Sequence, residues 1–451
     1  RYDGTSRFMK DQSWNLFPSF SLGWNVAREN FWKPLESVVN QFKLRGSWGE
    51  LGNQNTSNLY PFYEILPVKS NSGNWLVNGG KTNTADIPSL VSTLLTWERV
   101  RSFNVGFDFG AFSNRLTGSF DYFVRKTVDM VGPAPQLPLV LGIAPAIVNN
   151  ADMKSYGFEI ELSWRDRIGE VDYGVKFNLA DAQQKVVKYP NTTNAFSDWY
   201  AGKMSGEIWG YTSLGIAKTD EEMKEHLASL PNGGQNQLGN KWGAGDIMYA
   251  DINGDGKVDG GKGTLADPGD QRIIGNSTPR YNFGLVLDAS YKGFDVSIFF
   301  QGVGKRDYAP IVGTNGAVFW GAVNNIWQSM AMEEHFDYFR PEGHPMGANL
   351  NGYYPRPDFT SNKNHQVQTR YLQDASYIRL KNLQIGYTLP KQWINKLHIN
   401  RCRVYVSGDN LWTGTSLASM FDPETLAAGD WGSGKTYPLS KVISFGLNVN
   451  F

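Results

Sequence analysis

The chain has 451 residues and carries 43 Lys and Arg against 43 Asp and Glu, so its formal net charge is zero. That balance offers no basic face for nucleic acid and no polybasic tail. A single cysteine, Cys402, excludes an internal disulfide, and no run of about 18 apolar residues could form a transmembrane helix.

Membrane strands are not excluded, because each needs only about ten alternating residues. Aromatics at 14% and 49 glycines lean toward β-structure, a composition that soluble all-β proteins share. The chain begins at Arg1, inside what reads as a strand, with no Met and no signal peptide. We therefore expect it to be the C-terminal part of a longer protein, with any targeting segment upstream.

Taken in chain order, strand candidates recur from end to end. Residues 97–111 place Phe103, Val105, Phe107 and Phe109 on one face and Ser102, Asn104, Gly106 and Asp108 on the other. A turn at 113–115 leads into a strand over 116–130. Residues 156–164 align Phe158, Ile160, Leu162 and Trp164 against Glu159, Glu161 and Ser163. A turn near 168–170 leads into 171–187. Residues 281–291 align Phe283, Leu285, Leu287 and Ala289, and Lys292-Gly293 then turns into Phe294, Val296, Ile298 and Phe300. Later strands cover 376–389, 400–410 and 440–451. The last alternates strictly, with Ile443, Phe445, Leu447, Val449 and Phe451 on its apolar face.

These strands are longer than the five or six residues common in soluble domains. Two-faced strands of that length suit a wall tilted across a bilayer. The connections also alternate. Short turns interleave with long excursions over about 67–94, 131–155, 188–206, 219–278, 305–374 and 412–439. Long loops count against a compact soluble domain and suit a barrel with short periplasmic turns and long extracellular loops. Helical signals are few: residues 220–230 read as a short helix within a loop, and 391–397 as a helical turn. No repeat of propeller or solenoid period occurs.

Four segments resemble the SusC/RagA-type TonB-dependent transporters of the Bacteroidetes outer membrane. They are Arg1-Tyr2-Asp3-Gly4-Thr5-Ser6-Arg7-Phe8 with Phe17-Pro18-Ser19-Phe20-Ser21-Leu22-Gly23-Trp24; Lys43-Leu44-Arg45-Gly46-Ser47-Trp48-Gly49 with Gly52-Asn53; Gly245-Asp246-Ile247 through Asp251-Ile252-Asn253-Gly254-Asp255-Gly256 to Ile274-Gly275 and Pro279-Arg280-Tyr281; and Tyr377-Ile378-Arg379-Leu380-Lys381-Asn382 through Gly386-Tyr387 to Gly408-Asp409-Asn410-Leu411 and Phe451. The resemblance implies an all-β fold, the C-terminal part of an antiparallel transmembrane barrel of about 22 strands with long extracellular loops. It also implies a plug, a SusD-like lipoprotein lid, drive from the TonB complex, and assembly as a dimer of transporter–lid pairs. The expected organisation is one barrel unit over 1–451, without plug, TonB box or N-terminal barrel strands. The last strand, ending at Phe451, is expected to pair with the barrel's first strand.

Asp251, Asn253, Asp255, Lys257 and Asp259 occupy alternate positions of a run that matches the start of an EF-hand-type loop, with Gly256 at its sharp turn. Their oxygens are candidate ligands for a structural Ca2+. Lys262 stands where such a loop places its bidentate Glu, and Asp267 or Asp270 are substitutes. The alternative is an Asx-rich turn without an ion.

Catalysis finds no motif. His226, His335, His344, His365 and His398 are scattered, and no GxSxG or P-loop occurs. Glu159 and Glu161 share a strand face, which suits lumen polarity as well as a glycosidase pair. Loop aromatics amid Asn, Gly and Asp are candidates for stacking on sugar rings: Trp75, Trp199, Trp242, Trp320, Tyr353 and Trp431, accompanied by Tyr200, Phe319, Trp327 and Tyr354. Packing within loops, an interfacial girdle and lid contact compete for the same residues.

The expected function is TonB-dependent import of oligosaccharide across the bacterial outer membrane, through a lumen lined by Asp108, Glu159, Glu161 and Asp288. Oligopeptide import is the alternative substrate reading. A soluble secreted all-β carbohydrate-binding protein or carbohydrate-active enzyme is the second class, and it leaves the strand lengths unexplained.

Overall fold

The computed structural model describes residues 1–451 except 55, 57–58, 89, 133–137, 139, 141, 144, 311–316, 322–330, 359–361, 396–397 and 427–436. Its main element is an 11-stranded antiparallel sheet. The strands are β1 (Ser19–Asn25), β2 (Val39–Asn53), β3 (Glu98–Ala111), β4 (Leu116–Val131), β5 (Asn149–Ile168), β6 (Val171–Lys188), β7 (Arg280–Tyr291), β8 (Phe294–Lys305), β9 (Tyr377–Thr388), β10 (Arg401–Thr415) and β11 (Val442–Asn450). Their order across the sheet is their order along the chain, an up-and-down meander with β1 and β11 at its edges.

The sheet carries the strands expected from residue 97 onward, with two differences in extent, and adds β1 and β2, which were not among the expected strands. β5 begins at Asn149, so the connection after β4 is shorter than the 131–155 expected. Its first residues alternate poorly, and neighbouring long strands hold them in the ladder through irregular register at Met130/Val131 and Asp152/Met153. β10 runs on to Thr415, past the expected end near 410. Asn410 adopts φ +53° beside a register shift opposite Leu380/Asn382, a bulge that re-aims the strand without ending it.

β5 has 20 residues, which at about 3.3 Å per residue spans about 65 Å. That exceeds a hydrocarbon core of about 30 Å even when tilted, so one end projects beyond the lipid. The apolar band marks which part stays in. On one face the register sets Phe103, Val105, Phe107 and Phe109 of β3 against Val124, Tyr122, Phe120 and Gly118 of β4. Tyr122, Phe120 and Gly118 in turn face Phe158, Ile160 and Leu162 of β5. Toward the long-loop end that face turns charged: Arg101 donates to Glu50 at 2.6 Å, and Arg280 pairs with Asp181. Aromatics rim the short-turn end, where Trp164 Nε1 donates to the Tyr173 hydroxyl at 3.2 Å. An apolar band between aromatic and charged rims is the outer surface of a lipid-embedded wall.

Burial is inverted relative to a soluble domain. Phe20, Leu22, Phe103, Val105, Leu162, Ile443, Phe445 and Leu447 on the apolar face are exposed. The buried apolar core lies in the long connections: Tyr211, Leu230, Ile247, Tyr249, Val258, Val318, Phe319, Trp320, Tyr354, Tyr371, Ala375, Leu417, Phe421 and Leu426 pack into one cluster.

The excursion after β6 contains more structure than the expected short helix. Glu207–Gly210 pairs with Arg272–Asn276, and Ser213–Ile216 with Ile247–Tyr249. Helix α1 (Asp220–Ala228) is capped by Thr219, whose hydroxyl accepts the Glu222 N–H at 3.1 Å, and it ends two residues earlier than expected. A four-residue turn, α2 (Ala317–Trp320), lies in the β8–β9 connection, and α3 (Lys391–Ile394) occupies the short β9–β10 connection as expected. No helix among the described residues is long and apolar enough to cross a membrane.

Candidate functional site

The opposite face of the wall is polar. Asp108 and Asp121 face the same lane as Arg45, whose Nη2 donates to them at 2.8 and 2.9 Å. Glu159 is registered opposite Asp121, and Glu161 opposite Ser119, so both glutamates lie on this face. Asp288 sits between Gly174 and Ser297 on the same side. Farther round the sheet Arg403 pairs with Asp295 and donates to Gln384 at 3.0 Å, and Asn382 donates to Asp409 at 2.6 Å. The four residues expected to line a lumen therefore share the charged face.

The long connections form a roof over one end of the wall. Two of them lock together. Tyr211 donates its N–H to Val367 at 2.8 Å, and the Tyr249 hydroxyl donates to the Lys363 carbonyl at 2.7 Å. Asp246, fully buried, accepts from Arg356 Nη2 at 2.7 Å, Lys363 Nζ at 2.9 Å and Asn364 Nδ2 at 2.9 Å. Two cations and an amide thus satisfy a carboxylate that has no access to water. The connection before β11 joins through Arg379, which donates to Asp422 at 2.9 Å.

The candidate stacking aromatics are distributed through this roof. Trp75 is 58% exposed in the connection after β2. Trp199 is half-buried, edge-on to Tyr189 at 5.9 Å. Trp242 holds the Lys363 ammonium 5.0 Å from its ring centroid and donates Nε1 to the Gly239 carbonyl at 3.2 Å. Trp320 and Tyr353 are brought into one aromatic cluster, each packed on Tyr371, at 4.8 and 5.4 Å between ring centroids. Phe319 and Tyr354 complete that cluster. Trp431 and Trp327 lie outside the described residues.

The Asp-rich loop is tightly wired. Asp251 accepts the N–H groups of Gly254 at 2.7 Å and Gly256 at 2.8 Å. Asn253 accepts from Asp255 N–H, and Asp255 from Lys257 N–H, at 3.0 and 3.1 Å. Gly256 has φ +80°, a conformation in which a side chain would be strained. Lys257 Nζ stands 2.5 Å from Asp259 and 3.9 Å from Asp255, bringing a positive charge to the carboxylates. That ammonium holds the Asp259 carboxyl below the ordinary carboxylate value, whereas burial raises Asp270. Among the described residues no group of three His, Cys, Asp or Glu side chains gathers around one point. The alternate oxygens that suggested Ca2+ are present, and the Lys257 side chain brings a counter-charge to two of the carboxylates. A cation here is carried forward as a proposal.

One cavity of about 330 Å3 opens in the roof between Trp320, His335, Tyr354, Arg356 and His365. Sequence reasoning named Trp320 and Tyr354 as candidate stacking aromatics but gave no role to His335, Arg356 or His365. Nor did it find Arg45 as the partner of Asp108, or Asp246 as a buried charge. Alternation had placed Asp108 on the polar face, but its partner depends on strand register.

The family model described as TonB dependent receptor-like, beta-barrel matches residues 1–411. The chain is 29% identical to "TonB-dependent receptor P3" of Formosa agariphila, covering all of this chain and 43% of that protein. It is 23% identical to "TonB-dependent receptor SusC" of Bacteroides thetaiotaomicron, over all of this chain and 41% of the relative. Among solved structures, one described as the RagAB peptide transporter superposes with a TM-score of 0.74 at 22% identity, over 99% of this chain and 44% of that one. The chain thus spans less than half the length of these relatives.

Proposed function

The chain belongs to the TonB-dependent receptor β-barrel family, of SusC/RagA type, and lies in the bacterial outer membrane; from that premise we propose that it is the C-terminal wall of an importer. The observation that carries this reading is the wall itself. It is apolar where lipid would touch it, charged on the face carrying Arg45, Asp108, Asp121 and Glu159, and roofed by structured connections at one end only. Its edges, β1 and β11, are open in this sheet and would pair with further strands of the same barrel, because unpaired strand edges are not tolerated in lipid. A plug supplied by the rest of the protein would engage TonB. A SusD-like lipoprotein would close over the roof, as a pair that assembles into a dimer.

Oligosaccharide is the substrate class we favour. Trp75, which is exposed, and the half-buried Trp199, Trp242 and Tyr353 lie amid amide and carboxylate groups, and with a net charge of zero they suit neutral glycans, whereas Phe319, Trp320 and Tyr354 are taken up by packing. Oligopeptide is the second reading, favoured by the likeness to the structure described as a peptide transporter. We propose no catalytic role. A soluble carbohydrate-binding protein does not account for the exposed band of Phe103, Val105, Leu162 and Phe445. The test is uptake by a strain lacking the gene. Loss of growth on an oligosaccharide mixture, with growth on peptides retained, is expected. The converse moves the assignment to peptide, and unchanged growth on both overturns import.

A further inference from the structure

On the long-loop side the apolar band of the wall ends in a row of cations. Arg101 of β3 is registered opposite Lys126 of β4, Lys126 opposite Lys154 of β5, and Lys154 opposite Lys185 of β6. The register runs without a shift from these pairs into the band. All four therefore lie on the face that carries Phe103, Val124 and Tyr156 one row further in. Arg101 and Lys185 are exposed, and Lys126 and Lys154 are half-buried.

Such a row repels itself. Residues directly opposite each other on one sheet face stand about 4.5–5.5 Å apart at Cβ, and like charges there are destabilising. The protein relieves only one end of the row. Arg101 pairs with Glu50 at 2.6 Å, and Lys126 with Asp152 at 3.6 Å. The Lys154 ammonium stands 5.3 Å from the centroid of the Tyr156 ring. Among the described residues no carboxylate pairs with Lys154 or Lys185. Two neighbouring cations are thus left facing outward without a counter-charge from the protein.

Their depth says what meets them. Ten residues along β5 separate Lys154 from Trp164 at the aromatic rim. That is about 33 Å along the strand, or about 23 Å of membrane thickness at a tilt of about 45°. Walls of this kind carry an apolar band about 25 Å tall, so the row stands at headgroup level in the leaflet on the long-loop side. A long apolar stem bearing an ammonium suits that depth, because the stem rests on the band while the charge reaches the headgroups.

We propose that Lys154 and Lys185, flanked by Lys126 and Arg101, hold the phosphate headgroup of an anionic lipid whose acyl chains lie on the band below. A lipid meets both parts of this surface at once. Its phosphate oxygens accept from the ammonium groups, and its chains cover Tyr156, Val124 and Phe103. Free phosphate would use the cations alone, and an acidic protein would leave the band uncovered.

Affinity titration of the intact outer-membrane protein that contains this chain, in a non-ionic detergent, tests the site. The probes are dioleoylphosphatidate, dioleoylglycerol, which has the same chains without phosphate, and inorganic phosphate, which has no chains. Phosphatidate should bind about tenfold or more tightly than dioleoylglycerol, and its affinity should fall as salt rises. Millimolar inorganic phosphate should not displace it. Lys154→Gln combined with Lys185→Gln should weaken phosphatidate about tenfold. Lys218→Gln combined with Lys224→Gln, two exposed lysines of the roof, should not. Equal binding of the two lipids overturns the proposal, as does full phosphatidate affinity in the Lys154 and Lys185 variant. Displacement by inorganic phosphate overturns it too, since the row would then be a site for free anions. If the paired variant does not assemble, the comparison of probes on the unmodified protein still decides.

Discussion

His365 has almost no contact with solvent and lies against the Trp320 ring. Its imidazole pKa is pushed down to about 4, so the folded roof holds it neutral while the unfolded chain would protonate it near the ordinary value of about 6.5. A depressed histidine makes the unfolded state the better proton binder. Roof stability is therefore full above about 6.5 and falls as pH drops toward 4. Limited proteolysis of the β8–β9 connection across that range should show cleavage rising on acidification, and His365→Phe should flatten the profile. A second residue-scale prediction concerns Asp246. Asp246→Leu leaves Lys363, 1% exposed at its side chain, and Arg356 without their shared carboxylate. Removing one partner of a buried ion pair costs roughly 3–5 kcal/mol. Proteolysis within the roof at neutral pH should increase sharply while the wall stays intact.

At the scale of one element, each strand has two faces with different solvents. Val105 on β3 lies in the apolar band, exposed to what would be lipid. Val105→Arg should destabilise the folded barrel by about 2–4 kcal/mol, the cost of an arginine at the bilayer midplane. Asp108→Asn, three residues on and on the charged face, should cost far less, because its Arg45 partner keeps Asp121. Urea-induced unfolding in lipid vesicles separates the two; similar losses would contradict the assignment of faces. The Asp-rich loop is a second element with its own test. Elemental analysis of the purified protein should find calcium if the loop holds one, and Asp255→Ala should then remove it. A metal content unchanged by that substitution ends the proposal for this loop.

For the whole molecule, the inverted burial decides behaviour. The wall presents its large apolar side chains outward, while the compact core sits in the roof. The intact protein should partition with the membrane and need detergent for release. Deleting the roof connection between β6 and β7 should remove Tyr211, Ile247 and Tyr249 from the shared cluster and loosen the β8–β9 connection with it. The wall ladder from β3 to β6 should remain, because its hydrogen bonds do not pass through the roof. Heat-modifiable gel mobility, retained in such a deletion, would register the surviving wall.

How much of this was legible beforehand follows from the range of each interaction. Period-two alternation is local, so the sequence alone determined the strands from β3 to β11, their two faces, and the short and long connections between them, and hence the barrel class; β1 and β2 emerged only in the paired sheet. It also placed Asp108, Glu159, Glu161 and Asp288 on the polar face. Where alternation failed, as at the start of β5, only pairing with neighbouring strands extended the element. The bond from Arg45 to Asp121 spans 76 residues, and the ion pair of Asp246 with Lys363 spans 117. No local pattern encodes such separations. The fates of the loop aromatics were likewise tertiary. Trp75 and Trp320 are both tryptophans in long connections, yet one is open to solvent and the other shares a cavity wall with His365. Only the packing of connections far apart in sequence decided between them.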